Sequence, residues 1–304
     1  MKIIIVIPHY YKYDAKSVYG SSSEGRAERA KVLSRMLNGL NALFVCPHGH
    51  SELTADDAGN YFFVGYPANA ATRHRIDFFL CTSGENHLLG ELEVDSSVHW
   101  QQVNIDVADP RYLGFGCHQL LRQYVGKYDY YCYMEDDLLI HDVFFFRKLK
   151  WFESAFGSRC ILQPHRYIGG REPYAREYID PALPVVDKLV DFGDGNPENL
   201  RLSYLGEELV FRRSHTAHAG GFWLSAAQYE LMARRGDYAA PKSDFIGPLE
   251  SAATLDILRT FAVYEADFPW ADFLSLEHIG QNGSRYHDYR IDKSAFAALG
   301  YDVS

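Results

Sequence analysis

Tyr128-Asp129-Tyr130-Tyr131-Cys132-Tyr133-Met134-Glu135-Asp136-Asp137 is the stretch that most narrows the folds open to this chain. Aromatic and apolar side chains run from Tyr130 to Met134, as in a buried strand, and three carboxylates then follow in succession. Like charges at a strand end repel one another, and each costs free energy to bury unpaired. A hard divalent cation takes oxygen ligands and would turn the repulsion into attraction. A solvated acidic turn after an ordinary strand would read the same way, so the rest of the chain has to separate the two.

The chain opens on Ile3-Ile4-Ile5-Val6-Ile7-Pro8. This β-branched run is too short for a signal peptide and lacks a small-residue cleavage site, so it reads as a buried first strand. A polar loop from His9 to about Gly25 follows. Next comes a helix with Val32, Leu33, Met36, Leu37 and Leu40 at helical spacing, then a short strand over Ala42–Cys46. Strand, loop, helix, strand is the opening of an α/β domain with a parallel sheet, in which ligands bind at the carboxyl ends of strands. Tyr10 or Tyr11 would then be placed to stack on a nucleotide base, or else simply to cover the sheet edge.

Further strands are expected over Ile76–Cys81, Val98–Val103 and Cys160–Pro164, with helices over Cys117–Val125 and Val143–Phe152. Arg111 stands before Gly114-Phe115-Gly116, where a helix start could meet a phosphate. The third glycine of a dinucleotide fingerprint is missing. Residues 165–200 show no periodicity, and Asp191-Phe192-Gly193 has no accompanying kinase catalytic loop. A hairpin turns at Gly206. Gly220-Gly221-Phe222-Trp223 would let backbone approach a ligand and offer a flat face to a sugar, or form a tight strand-to-helix turn with core aromatics. Pro248 suits a first helical position, placing Glu250 in the first turn of a helix. Phe273–Gly280 reads as a strand carrying His278, followed by a turn at Asn282-Gly283-Ser284.

Composition excludes several classes. At 304 residues the chain can form one large domain or two closely joined ones. A net charge of −10 argues against a nucleic-acid partner. The five cysteines include no Cys-x-x-Cys pair, which fits reduced thiols in a cytoplasmic protein better than disulfides or a zinc site. No apolar stretch approaches the roughly 20 residues of a membrane span, so any membrane association would be peripheral.

Taken in order, the motifs resemble the GT-A-fold glycosyltransferases, which use nucleotide-diphosphate sugars. Ile3–Pro8 looks like the family's opening strand and Tyr133-Met134-Glu135-Asp136-Asp137 like its Asp-x-Asp motif, with Glu135 in place of the first aspartate. Gly220-Gly221-Phe222-Trp223 is similar to the acceptor-side glycine and aromatic segment, Pro248-Leu249-Glu250 to the acidic segment that supplies the base, and His278-Ile279-Gly280 to the histidine that completes the metal site. The loops after the first and third strands depart from the usual family sequences.

The resemblance implies an α/β, Rossmann-type sandwich with a mainly parallel central sheet, helices on both faces and a smaller acceptor-side sheet. Residues 1–137 would be the nucleotide-sugar half and 138–304 the acceptor and catalytic half of one domain. Pro8, Tyr10, Arg111, Glu135, Asp136, Gly221 and Trp223 would line the donor, and Asp137, Glu135 and His278 would hold the metal. A mixed carboxylate and imidazole set suits Mn²⁺ better than Mg²⁺. The cation would bridge a leaving diphosphate, and Glu250 would take the proton of an acceptor hydroxyl on a glycan or lipid-linked acceptor, with inversion. A sugar-nucleotide nucleotidyltransferase and a non-catalytic carbohydrate-binding protein are the competing readings.

Overall fold

The computed structural model describes residues 1–13, 25–169, 175–179, 196–214 and 217–280. The expectations for most of the first loop, for Asp191-Phe192-Gly193 and for Asn282-Gly283-Ser284 fall outside them. In chain order the elements are β1 (Lys2–Pro8), α1 (Arg26–Phe44), β2 (Gly49–Ala55), β3 (Tyr61–Pro67), β4 (Arg75–Thr82), β5 (Trp100–Asn104), α2 (Leu113–Arg122) and β6 (Tyr130–Met134). They continue with β7 (Leu138–Leu139), α3 (Phe145–Phe156), β8 (Cys160–Leu162), β9 (His165–Gly169), β10 (Arg176–Tyr178), β11 (Asn199–Tyr204) and β12 (Glu207–Arg213). The last are β13 (Gly221–Ser225), α4 (Ala226–Ala233), α5 (Pro248–Leu258), β14 (Ala262–Ala266) and β15 (Ser275–His278).

The central sheet has the order β13-β6-β1-β4-β5. β6, β1, β4 and β5 run parallel, and β13 is an antiparallel edge. Strand β1 shows why its apolar run has no polar alternation. Ile3, Ile5 and Ile7 face α1 and α3, while Ile4 and Val6 face α2, α4 and α5. Both faces of the strand are buried, as a parallel sheet wrapped by helices requires. Two smaller sheets, β10-β9-β15-β7 and β11-β12-β14-β8, complete a mixed α/β architecture. The hairpin at Gly206 turns through Leu205 and Gly206, both left-handed at φ 52° and 91°, the backbone of a tight hairpin turn.

Three expectations are corrected. Ala42–Cys46 is not a strand, because Leu37, Leu40 and Phe44 carry the buried stripe of α1 onward and the helix continues to Phe44. The next strands are the unanticipated β2–β3 hairpin. The Gly-x-Gly at 114–116 lies within α2 and serves packing: a Cβ on Gly114 would stand 2.7 Å from the Ala252 side chain, and one on Gly116 would stand 2.6 Å from Ile105. Trp223 offers no sugar face, since it is buried with its ring 5.5 Å from Phe145.

Gly221 also answers to packing. Its Cβ position lies 2.3 Å from the Tyr133 carbonyl oxygen, so β13 can pair with β6 only without a side chain there. Gly221→Ala is expected to destabilise the fold by about 1–3 kcal/mol, the range for forced overpacking. Urea unfolding with an unchanged midpoint would contradict this.

Candidate metal centre

The acidic triplet begins where β6 ends, at the carboxyl edge of the parallel sheet. Its three members have different surroundings. Asp136 is buried and turned toward α1: its Oδ1 accepts from Arg29 Nη2 at 2.6 Å, and its Oδ2 lies 2.6 Å from His9 Nδ1. His9 Nε2 accepts the Leu88 N–H at 3.1 Å, so Nδ1 carries the proton and donates to Asp136. Burial alone would raise the Asp136 carboxyl, but Arg29 and His9 hold it well below the usual carboxylate range. Asp136 is therefore committed to the protein's own cation and ring. The expectation that it contacts the cofactor meets a carboxylate whose two oxygens are already taken by Arg29 and His9.

Asp137 is brought to His278 by strand pairing. Leu138, the next residue, stands opposite His278 in the β7–β15 ladder, and the Ile279 N–H donates to the Asp137 carbonyl at 2.8 Å. Asp137 Oδ2 lies 3.7 Å from His278 Nε2 and 3.6 Å from Arg29 Nη1. Burial lowers the His278 pKa, with Asp137 opposing. Glu135 is positioned by Gly220, whose carbonyl accepts the Glu135 N–H at 2.9 Å. Gly220 is left-handed at φ 65°, and a Cβ there would stand 2.8 Å from Glu135 Oε2. A side chain at that position would be strained and would push on the carboxylate.

One ligand atom from each of Glu135, Asp137 and His278 lies within 4.8 Å of the others, a span one cation can bridge. Asp137 Oδ1 is buried and has no hydrogen-bond partner among the described residues. A buried carboxylate oxygen left without a donor is costly, and a hard cation is the partner that its chemistry suits. The donor set, two carboxylates and an imidazole, fits a divalent transition ion.

The Glu135 carboxyl is pushed up to about 8, first by burial and then by Asp137; Glu250 and Asp136 add to this, and Arg166 opposes it. In the metal-free protein the native state therefore holds a proton that an unfolded glutamate, with an ordinary pKa of 4.5, has lost. Native protein binds more protons than unfolded protein in that window, so stability is expected to fall as pH rises from 4.5 towards about 8. Glu135→Gln should flatten the slope. Urea midpoints in chelator at several pH values test this, and equal slopes for the two proteins would count against it.

Other elements complete the surroundings. Arg166 on β9 is buried and stands opposite Leu276, two residues before His278 on the same face of the small sheet. Its charge is felt at Glu135, His218 and His278. Glu250 is half-buried in the first turn of α5; a Cβ on Gly247 would stand 2.9 Å from Glu250 Oε2, so this carboxylate folds back over its helix start. Its charge also reaches Glu135 and Tyr133. Just ahead, exposed Ile246 sits at φ 47°, a region that a β-branched residue adopts only at a cost of about 1–3 kcal/mol.

No family model matches the chain, and no curated protein matches it. The centre is therefore read from its geometry.

Of the other expected donor residues, Pro8 ends β1, buried beside Cys81. Tyr10 is half-buried against the core on the α2 face, and Tyr11 is buried between Ala30 and Leu88, which removes it as a stacking platform. Arg111 is at the surface, its guanidinium 2.6 Å from Asp109, which also caps the helical turn it begins. Sequence reasoning missed Arg29, His9 and Arg166. For Arg29 a signal existed: it precedes Leu33, Met36 and Leu40 at four, seven and eleven residues, a cation on the buried stripe of α1.

Proposed function

We propose that the chain is a metal-dependent glycosyltransferase that moves a sugar from a nucleotide-diphosphate donor to a glycan or lipid-linked acceptor. The reading rests on one observation: Glu135, Asp137 and His278 converge at the carboxyl edge of a parallel sheet, where open α/β sheets bind ligands. Held by these three, a divalent cation, Mn²⁺ in preference to Mg²⁺, would neutralise the charge that develops on a departing diphosphate. Asp136, locked to Arg29 and His9, fixes the backbone between the two carboxylate ligands. Arg166 supplies a second positive charge beside them. Glu250, in the first turn of α5, takes the proton from the attacking acceptor hydroxyl. A single base opposite the leaving group gives direct displacement and inversion. In this reading residues 1–137 bind the nucleotide, 138–304 the acceptor, and the enzyme works in the cytoplasm. Among the described residues no helix is long and apolar enough to cross a membrane.

The nucleotidyltransferase reading would need a glycine-rich basic loop after β1. That position holds His9, turned onto Asp136, and buried Tyr11.

Calorimetry with UDP, GDP and CMP, each with and without Mn²⁺, tests the proposal. Binding of one nucleotide that requires the metal is the expected result. Binding of free glycans alone would replace the enzyme with a carbohydrate-binding module.

A further inference from the structure

The β2–β3 hairpin stands apart from the sheets that build the core; among the described residues its strands pair only with each other. Its stem is fixed by Asn69, which accepts the His48 N–H and donates to the Cys46 carbonyl, both at 2.9 Å. Its tip is fixed by Asp56, whose Oδ1 accepts the N–H groups of Ala58 and Asn60. The hairpin is thus an ordered arm, yet almost every residue along it is exposed.

Strand register sorts its side chains. One face carries Gly49 with Pro67, Ser51 with Gly65, Leu53 with Phe63, and Ala55 with Tyr61. No charged residue is among them. The other face carries His50, Glu52, Thr54, Phe62, Val64 and Tyr66. On the uncharged face Leu53, Phe63 and Tyr61 are 59%, 72% and 76% exposed. A two-stranded ribbon of this kind is marginal in water, and one that displays its apolar face needs a cover.

That face is complementary to itself. Its outer half bears the large side chains. Its inner half is small, and a Cβ on Gly49 or Gly65 would meet nothing within 4 Å. We propose that the arm is a dimerisation element, in which two copies of the chain stack these faces about a two-fold axis. Leu53 and Phe63 of each then cover Ser51 and Gly65 of the other, and Tyr61 covers Pro67. Such an isologous contact closes on itself and leaves no apolar face to propagate.

Charge and area favour this occupant. Residues 47–72 contain Glu52, Asp56 and Asp57 but no lysine or arginine, so the arm lacks the basic rim that draws an anionic lipid surface. In the two-fold arrangement each acidic tip faces the other copy's stem, where Arg73, whose N–H donates to the Asn69 carbonyl, is exposed. Two aromatics of about 150–250 Å² each, together with Leu53, expose on the order of 400 Å² per copy. Two faces with their small neighbours reach roughly 1,000 Å², the lower bound for a specific interface. The inference does not depend on the chemistry of the metal centre.

Sedimentation equilibrium of the full chain tests it, with near-UV circular dichroism confirming that each variant is folded. A dimer is expected. Phe63→Asp and Gly65→Tyr, which respectively remove the knob and fill the hollow, should each raise its dissociation constant at least about 10-fold. Phe62→Asp on the opposite face should leave it unchanged. A monomer throughout the concentration range overturns the proposal, as does equal weakening by Phe62→Asp. Equally decisive against it would be a monomeric chain that binds phosphatidylcholine vesicles and loses them on Phe63→Asp.

Discussion

Asp137→Ala is expected to abolish metal-dependent nucleotide binding and to lower sugar transfer at least about 100-fold. Substitutions in the shell around a metal's ligands already cost about 10–100-fold, so loss of a ligand sets that as a lower bound. Asp137 is the sharpest choice because its Oδ1 has no hydrogen-bond partner among the described residues and its Oδ2 faces His278 at 3.7 Å. Removing it also removes the main like-charge neighbour of Glu135, so the metal-free variant should not lose stability in proportion to its loss of activity. Mn²⁺ should raise the melting temperature of the wild-type protein and leave that of Asp137→Ala unmoved, by linkage to the folded state. Glu250→Gln is the matched contrast. It should keep the Mn²⁺-dependent melting shift and nucleotide binding while kcat falls about 10²–10⁴-fold, the ordinary contribution of a general base. If Asp137→Ala transfers sugar with its metal dependence intact, the metal centre is wrongly assigned.

Arg29→Met is expected to cost about 3–5 kcal/mol of folding stability at neutral pH, the usual penalty for stranding a buried charge. Arg29 is buried, 2.6 Å from Asp136 and 3.6 Å from Asp137, so its loss takes the shared cation from two buried carboxylates and leaves His9 as the remaining donor to Asp136. The effect should depend on pH with a definite sign. The Asp136 pKa is depressed in the native state below its ordinary 3.8, so the stability it contributes is full above that value and is lost as pH falls below it. The gap between wild type and variant should therefore close on acidification and open again above about pH 4. Combining Arg29→Met with Asp136→Asn should cost less than the sum of the two, because the partners share one interaction. Chemical unfolding at pH 7 that shows a loss under about 1 kcal/mol would remove Arg29 from this role.

The sheet was legible because burial on both faces writes itself as unbroken apolar runs. Ile3–Ile7 and Tyr130–Met134 have no other economical arrangement in water. The hairpin at Gly206 and the start of α5 at Pro248 were legible from turn and helix-start chemistry, which is local. The strand assigned to Ala42–Cys46 failed because a short apolar run at a helix end has the composition of either element. Whether Gly114, Gly116 and Gly221 make room for a ligand or for packing was open in the sequence, because the neighbours that need their smallness are distant in it: Ala252, Ile105 and the Tyr133 carbonyl.

By itself the sequence singled out Glu135, Asp137, His278 and Glu250, since carboxylates and a histidine at element ends are conspicuous against an apolar background. It could not say that Asp136, between two candidate ligands, turns away from them. That was decided by α1, which carries Arg29 to the strand end, and by β1, which delivers His9 beside it. Nor could it bring His278 to Asp137, which takes the β7–β15 pairing between segments 140 residues apart, Leu138 opposite His278. Residue type is a local property and shows which groups can bear charge. Which of those charges are neutralised within the protein, and which converge with no cation of the protein's own between them, depends on distances that exist only once the chain has closed on itself.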